Sequence, residues 1–178
     1  RTLRCGATRL EAETTGWPPV YLSPRASSPC LFGVFRPVIY LTPESAADPT
    51  TRSHCIAHEQ THYRHGDQIW ALLRGVCLAL HWFNPLAWWA AKLARTDAEL
   101  WCDEDAIRRL GEQSRAAYGR TLIRMTCGTR INPLCTATTM SGKGSELKAR
   151  IRSIAKHPKT AVPVLIAVLL LAALAAGC

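Results

Sequence analysis

His54-Cys55-Ile56-Ala57-His58-Glu59-Gln60-Thr61-His62-Tyr63-Arg64-His65-Gly66-Asp67 is the stretch on which the reading of this chain turns. As a helix it places His58 and His62 one turn apart on the same face. Two imidazoles so placed can share one metal ion. Glu59, directly after the first histidine, can reach a water on that ion, which completes an H-E-x-x-H pattern. A wet helix face that happens to carry histidines is the weaker explanation, because four of the chain's six histidines fall in this one segment. His54 and His58 share the same spacing, but only His58 and His62 have the glutamate between them. His54 and His65 are therefore expected to be supporting or surface residues.

The flanks set the limits of this helix. Asp48-Pro49 is a capping residue followed by proline at the first helical position, and Gly66 is a stop signal. Asp67 is expected to cap the next helix, with orientation of a ligand histidine as its second possible role. Upstream, residues 1–16 read as a connector. Val20-Tyr21-Leu22 is a short strand. Leu31 to Leu41 is β structure, broken or bulged at Gly33, and Pro37 marks it as an edge strand. Such an edge could pair with a substrate backbone; a plain core hairpin fits equally well.

Downstream, Ile69 to Phe83 is apolar but interrupted by Arg74, Gly75 and His81, too broken for a membrane span. It predicts a helix that is either buried or lying at a bilayer surface. Trp70, Trp82, Trp88 and Trp89 suit a core or an interfacial belt. Asn84-Pro85 restarts a helix that runs to Leu110 and stops at Gly111.

Within that helix Glu99 and Asp103 are four apart, on one face. A peptidase zinc held by two histidines needs a third protein ligand, often a carboxylate. Glu99 is the candidate, and Asp103 is placed to hydrogen-bond a ligand histidine from behind. An acidic helix face is usually just solvated, but this is the chain's one dense acidic cluster, beside a signature that still lacks a ligand.

Glu112 to Cys127 predicts an amphipathic helix that packs through Tyr118, Leu122 and Met125. Residues 128–145, rich in Gly, Ser, Thr and Pro, predict a mobile loop. Lys143, Lys148, Arg150, Arg152, Lys156 and Lys159 form a basic run before Ala161 to Cys178, which carries no charge and is long enough to cross a bilayer. Basic residues before such a span place the preceding domain on the cytoplasmic side. The net charge of +9 is thus assigned to a membrane surface rather than to nucleic acid, since no basic reading helix stands out. The eight cysteines include no C-x-x-C pair and predict free thiols, buried in helices at Cys55 and Cys77, in a reducing compartment.

The sum is a mainly α chain with a small β-hairpin or edge sheet. Residues 17–145 form a zinc metallopeptidase domain, 146–160 a basic juxtamembrane segment and 161–178 a transmembrane helix. Chemically, His58, His62 and Glu99 are the Zn2+ ligands, Glu59 is the general base and Asp103 supports a ligand histidine.

Gly33-Val34-Phe35-Arg36-Pro37-Val38-Ile39-Tyr40-Leu41, the signature through Asp67, Trp82-Phe83-Asn84-Pro85-Leu86 and Glu99-Leu100-Trp101-Cys102-Asp103-Glu104 together resemble the BlaR/MecR-type antirepressor family of membrane zinc metallopeptidases. The resemblance implies a gluzincin-like peptidase domain facing the cytoplasm at a bacterial inner membrane, followed by a transmembrane helix. It implies a third ligand at Glu99 in an E-x-x-x-D motif, with Asp103 in support. It further implies cleavage of a transcriptional repressor, of the chain itself, or both, after an extracytoplasmic signal such as a β-lactam. The basic stretch Lys148–Arg152 is the expected place of self-cleavage. The partners expected are the lipid bilayer and a protein substrate, without direct nucleic-acid contact; a homodimer is compatible. The rival readings are a zinc peptidase of the prenyl-protein or quality-control type and a non-catalytic membrane transducer with a structural metal. Trp82-Phe83-Asn84-Pro85-Leu86 speaks against the former, and Glu59, for which a structural site has no use, against the latter.

Overall fold

The computed structural model describes residues 6–10, 18–127 and 136–156. The chain is mainly helical with one small sheet. The strands are β1 (Thr8–Arg9), β2 (Val20–Leu22), β3 (Cys30–Phe32) and β4 (Val38–Leu41). Their order is β1-β2-β4-β3, with β2 and β4 parallel and the two outer pairs antiparallel. Thr8 and Arg9, expected in a connector, thus belong to the sheet.

The β structure expected to be broken or bulged at Gly33 is broken there, into β3 and β4, which pair as an antiparallel hairpin. Gly33 has φ +99°, and a Cβ there would stand 2.8 Å from the Arg36 carbonyl oxygen, so the turn requires glycine. Of the two strands, β4 is interior and buried at all four residues, and β3 is the edge. Pro37 therefore does not mark an edge. It stands just before β4, where its missing N–H removes nothing from the ladder.

Thr42 and Ser45 form a reciprocal capping box that starts the short helix α1 (Pro43–Ala47), which the sequence reading did not foresee. Helix α2 (Pro49–His65) starts as expected: Asp48 accepts hydrogen bonds from the Thr51 N–H and hydroxyl. Gly66, at φ +68°, ends it with its N–H on the His62 and Tyr63 carbonyls. Then come α3 (Asp67–Leu80), α4 (Pro85–Leu110, with the Asn84 side chain accepting from the Leu86 N–H), a 3-10 turn (Glu112–Ser114), α5 (Arg115–Cys127) and α6 (Thr136–Ala155). Residues 136–145, expected in a mobile loop, are helical, because α6 gains its stability from packing on α4 and α5 rather than from composition.

Two apolar clusters hold the fold. Val20, Ile39 and Leu41 of the sheet pack on Cys55 and Ile56 of α2. Ala106 and Ile107 of α4 pack on Tyr118 of α5 and Ile154 of α6. Helix α2 lies between these clusters, so its histidine face is fixed from both sides. Four cysteines (30, 55, 77 and 102) are free thiols, as expected, but Cys77 is exposed, not buried. Among the described residues no helix is long and apolar enough to cross a membrane. The span expected at 161–178 lies outside the described residues.

Candidate metal centre

Helix α2 presents His58, Glu59 and His62, and α4 crosses it with Glu99 turned towards them. His58 Nε2 and His62 Nε2 stand 3.1 Å apart, and Glu99 Oε2 is 3.6 Å and 3.9 Å from them. Ligand atoms at about 2.0–2.1 Å from a tetrahedral zinc lie roughly 3.3 Å from one another. The three observed separations bracket that edge length, and two imidazoles with one carboxylate are a donor set zinc accepts. The residues present therefore fit a metal ion.

The outer nitrogen of each imidazole is held in place. His62 Nδ1 is 2.6 Å from Asp67 Oδ2. His58 Nδ1 is 2.9 Å from the Tyr118 hydroxyl and 3.3 Å from Asp103 Oδ1. Tyr118 donates its one proton to Asp103 Oδ1 at 2.8 Å, so its oxygen is left to accept from His58 Nδ1–H. That leaves Nε2 as the inward-facing atom. A carboxylate behind each histidine is the support that metal-binding imidazoles usually have.

Asp103 is almost fully buried and is gripped by Arg150 of α6 through two bonds, Nε to Oδ2 at 2.7 Å and Nη2 to Oδ1 at 2.6 Å. Arg150 Nη1 also lies 3.1 Å from Glu99 Oε2. Burial opposes charge on Asp103, but Arg150 and His58 outweigh it and hold its carboxyl well below the usual range. Burial likewise opposes charge on Glu99, and His58 with Arg150 brings its pKa down to about 2. Burial also disfavours the His58 imidazolium, yet Asp103 and Glu99 reverse this and raise its pKa to about 9. The surroundings thus favour positive charge at this point, a proton or a metal ion alike.

Glu59 is buried, at 8% exposure, and no described residue hydrogen-bonds its carboxylate. Burial, and then the Glu59 charge, push up the Cys30 thiol of β3.

The sequence-predicted residues His58, Glu59, His62, Glu99 and Asp103 are brought together. The other two histidines of the segment stand outside. His54 is buried, with Nδ1 2.8 Å from the Thr121 hydroxyl, and His65 stacks on Trp101. Asp67 takes the second of its two expected roles, and Tyr118 and Arg150 join the site without having been expected there. Asp67 does not cap α3: Gly66 holds the cap position, and the Asp67 carboxylate turns back to His62. Its place just past a helix-ending glycine, five residues after His62, was the available signal. Tyr118 was read as packing and Arg150 as part of an exposed basic run; both lie behind the His58 ring. Nothing local in the sequence pointed to either.

A small sheet backing an H-E-x-x-H helix, with a carboxylate supplied from a second helix, defines a metallopeptidase domain. Residues 8–154 match the family described as BlaR1 peptidase M56, and the chain belongs to that signal-transducing metallopeptidase family. It is 30% identical over 145 residues to the regulatory protein BlaR1 of Bacillus licheniformis, covering 80% of this chain and 24% of the relative. It is 25% identical over 146 residues to the methicillin resistance mecR1 protein of Staphylococcus aureus, covering 79% and 25%. The mecR1 protein of Staphylococcus epidermidis matches equally well. The chain spans about a quarter of the length of these relatives.

Proposed function

We propose that the chain is the peptidase portion of a membrane-bound zinc metalloendopeptidase that relays an extracytoplasmic signal, such as a β-lactam, by cutting a cytoplasmic repressor, itself, or both. The observation that carries the reading is the convergence of His58 Nε2, His62 Nε2 and Glu99 Oε2, with Asp67 and Asp103 behind the two rings. The relatives' printed names, a regulatory protein and a methicillin resistance protein, support the signalling role.

His58, His62 and Glu99 hold the zinc ion. A zinc ion so held supplies a Lewis acid and an acidified water. Glu59 is the base: it takes the proton of the attacking water and returns it to the leaving amine. Its burial, and the absence of a hydrogen bond from any described residue, suit a carboxylate that must accept a proton and release it. Asp67 and the pair Tyr118–Asp103 keep the imidazoles in the ligating tautomer, and Arg150 keeps Asp103 ionised. Among the described residues β3, which packs on α2, pairs only with β4, so its outer edge is open. An extended substrate backbone pairing with that edge would carry its scissile bond past the base.

The stretch Lys148–Arg152, expected for self-cleavage, is helical, with Lys148 and Arg152 exposed. It lies inside α6, with Arg150 turned into the site. The uncharged run 161–178 and the basic residues before it support a domain at the cytoplasmic face of a bacterial inner membrane. The test is proteolysis by the protein in membranes, with a fluorescent casein and with its own chain as substrates. Wild type cleaves at least one of them, and Glu59→Gln binds zinc but cleaves neither. Equal cleavage by both proteins would end the assignment of Glu59.

A further inference from the structure

Beyond Asp67, which supports His62, the apolar helical hairpin of α3 and the first half of α4 adds no residue to the metal centre, and among the described residues most of its apolar surface is uncovered. Helix α3 has no buried residue, and Ile69, Leu73 and Leu80 are at least half exposed. On α4, Leu86 and Trp89 are 67% and 62% exposed, and at the turn between the helices Trp82 and Phe83 are 71% and 68% exposed. Between Asp67 and Lys92 the only charged residue is Arg74. Soluble domains rarely leave so large a contiguous apolar surface uncovered.

From these observations we infer that the α3–α4 hairpin inserts, turn first, into one leaflet of a lipid bilayer and seats the metal centre at the membrane surface. Three features favour lipid over a protein partner. First, α3 lacks a polar face: Arg74 apart, residues 69–80 are apolar or small on every side, whereas a protein partner would need only one apolar stripe. Second, several of the polar groups at the turn are paired among themselves. The His81 N–H donates to the Cys77 carbonyl, the Asn84 N–H to the His81 carbonyl, and the Trp88 indole N–H to the Trp82 carbonyl; the Asn84 side chain accepts from the Leu86 N–H. Water would satisfy these groups at an ordinary surface loop, but a hydrocarbon phase cannot. Third, the length fits one leaflet. The 14 residues of α3 extend about 21 Å, short of the roughly 30 Å hydrocarbon core. Charged Asp67 closes the apolar stretch at the base of α3, and the uncharged run of α4 ends sooner, at Lys92, about 10 Å along that helix. Trp70 and Trp101 stand exposed towards the base, as interfacial indoles do. Asp67 begins α3 and also supports His62, so the base of the hairpin is the rim of the metal centre. A centre held there would meet chain segments that emerge from the bilayer.

The inference rests on the hairpin and stands apart from the peptidase reading and from the apolar tail. The test places p-benzoylphenylalanine at position 83, 89, 123 or 170 of the full chain in phospholipid membranes, irradiates, and identifies adducts by mass spectrometry. Circular dichroism confirms that each variant is folded. Lipid adducts at 83 and 89 but not at 123, an exposed position of α5, are the expected result. Lipid adducts at 170 alone would overturn the inference and leave a tail-only anchor. Cross-links from 83 or 89 to a second copy, to another protein or to residues 161–178 would overturn it in favour of that partner.

Discussion

Helix α4 passes through two surroundings that invert the usual arrangement of polar and apolar groups in opposite ways. In its second half Asp103 is 1% exposed between Cys102 and Ala106, both fully buried, and is ionised there because Arg150, Tyr118 and His58 surround it. In its first half Leu86, Trp88 and Trp89 are all more than half exposed and touch no apolar core. The comparison separates two jobs. One half fixes the site by burying paired charges, and the other contributes apolar surface without contributing to the core of the domain.

Breaking the buried network should have the largest effect. Asp103→Ala leaves Arg150 and His58 without their shared carboxylate. Losing one partner of a buried ion pair costs about 3–5 kcal/mol, which urea unfolding of the solubilised protein reads directly. A loss under about 1 kcal/mol, the range of an exposed pair, would mean that solvent already screens this network. The next effect is in the apolar cluster beside it. Ile107, fully buried against Tyr118 and Ile154, should lose about 2–5 kcal/mol on Ile107→Ala in the same assay.

The support behind the other histidine affects metal binding more than folding. Asp67→Asn keeps the side-chain shape but removes the charge facing His62. Loss of such a partner lowers metal affinity by about 10–100-fold, to be measured by competition with a chromophoric zinc chelator. Unchanged affinity would make Asp67 a spectator. The smallest effect sharpens the comparison from the other side. Leu80→Ala, at an exposed hairpin position, should change stability in detergent by no more than about 0.5 kcal/mol. A core-sized loss there would show that the hairpin packs within the domain.

These two halves were also unequally legible in the sequence. Helix α2 was legible because its signals are local: a capping Asp48, a stopping Gly66 and histidines one turn apart. Glu99 and Asp103 were legible by the same four-residue spacing. Arg150 reaches Asp103 from 47 residues away and Tyr118 reaches His58 from 60. No periodicity links such pairs, so a basic residue near an apolar tail and a tyrosine on an amphipathic helix received their commoner meanings. The hairpin was legible as apolar helices, but whether they were buried or exposed depends on what the rest of the chain leaves uncovered. Pro37 misled because its rule concerns ladder positions, and the ladder of β4 begins one residue later.

The central claim is that His58, His62 and Glu99 hold one zinc ion while Glu59 stands beside it as the base. Zinc content of the detergent-solubilised protein tests this most directly, with wild type measured beside Glu99→Ala and Glu59→Gln. The account predicts about one zinc per chain in wild type and in Glu59→Gln, and a marked loss in Glu99→Ala, as expected for a site with three protein ligands. Wild-type protein that binds no zinc, or Glu99→Ala that binds it as tightly as wild type, would contradict the account.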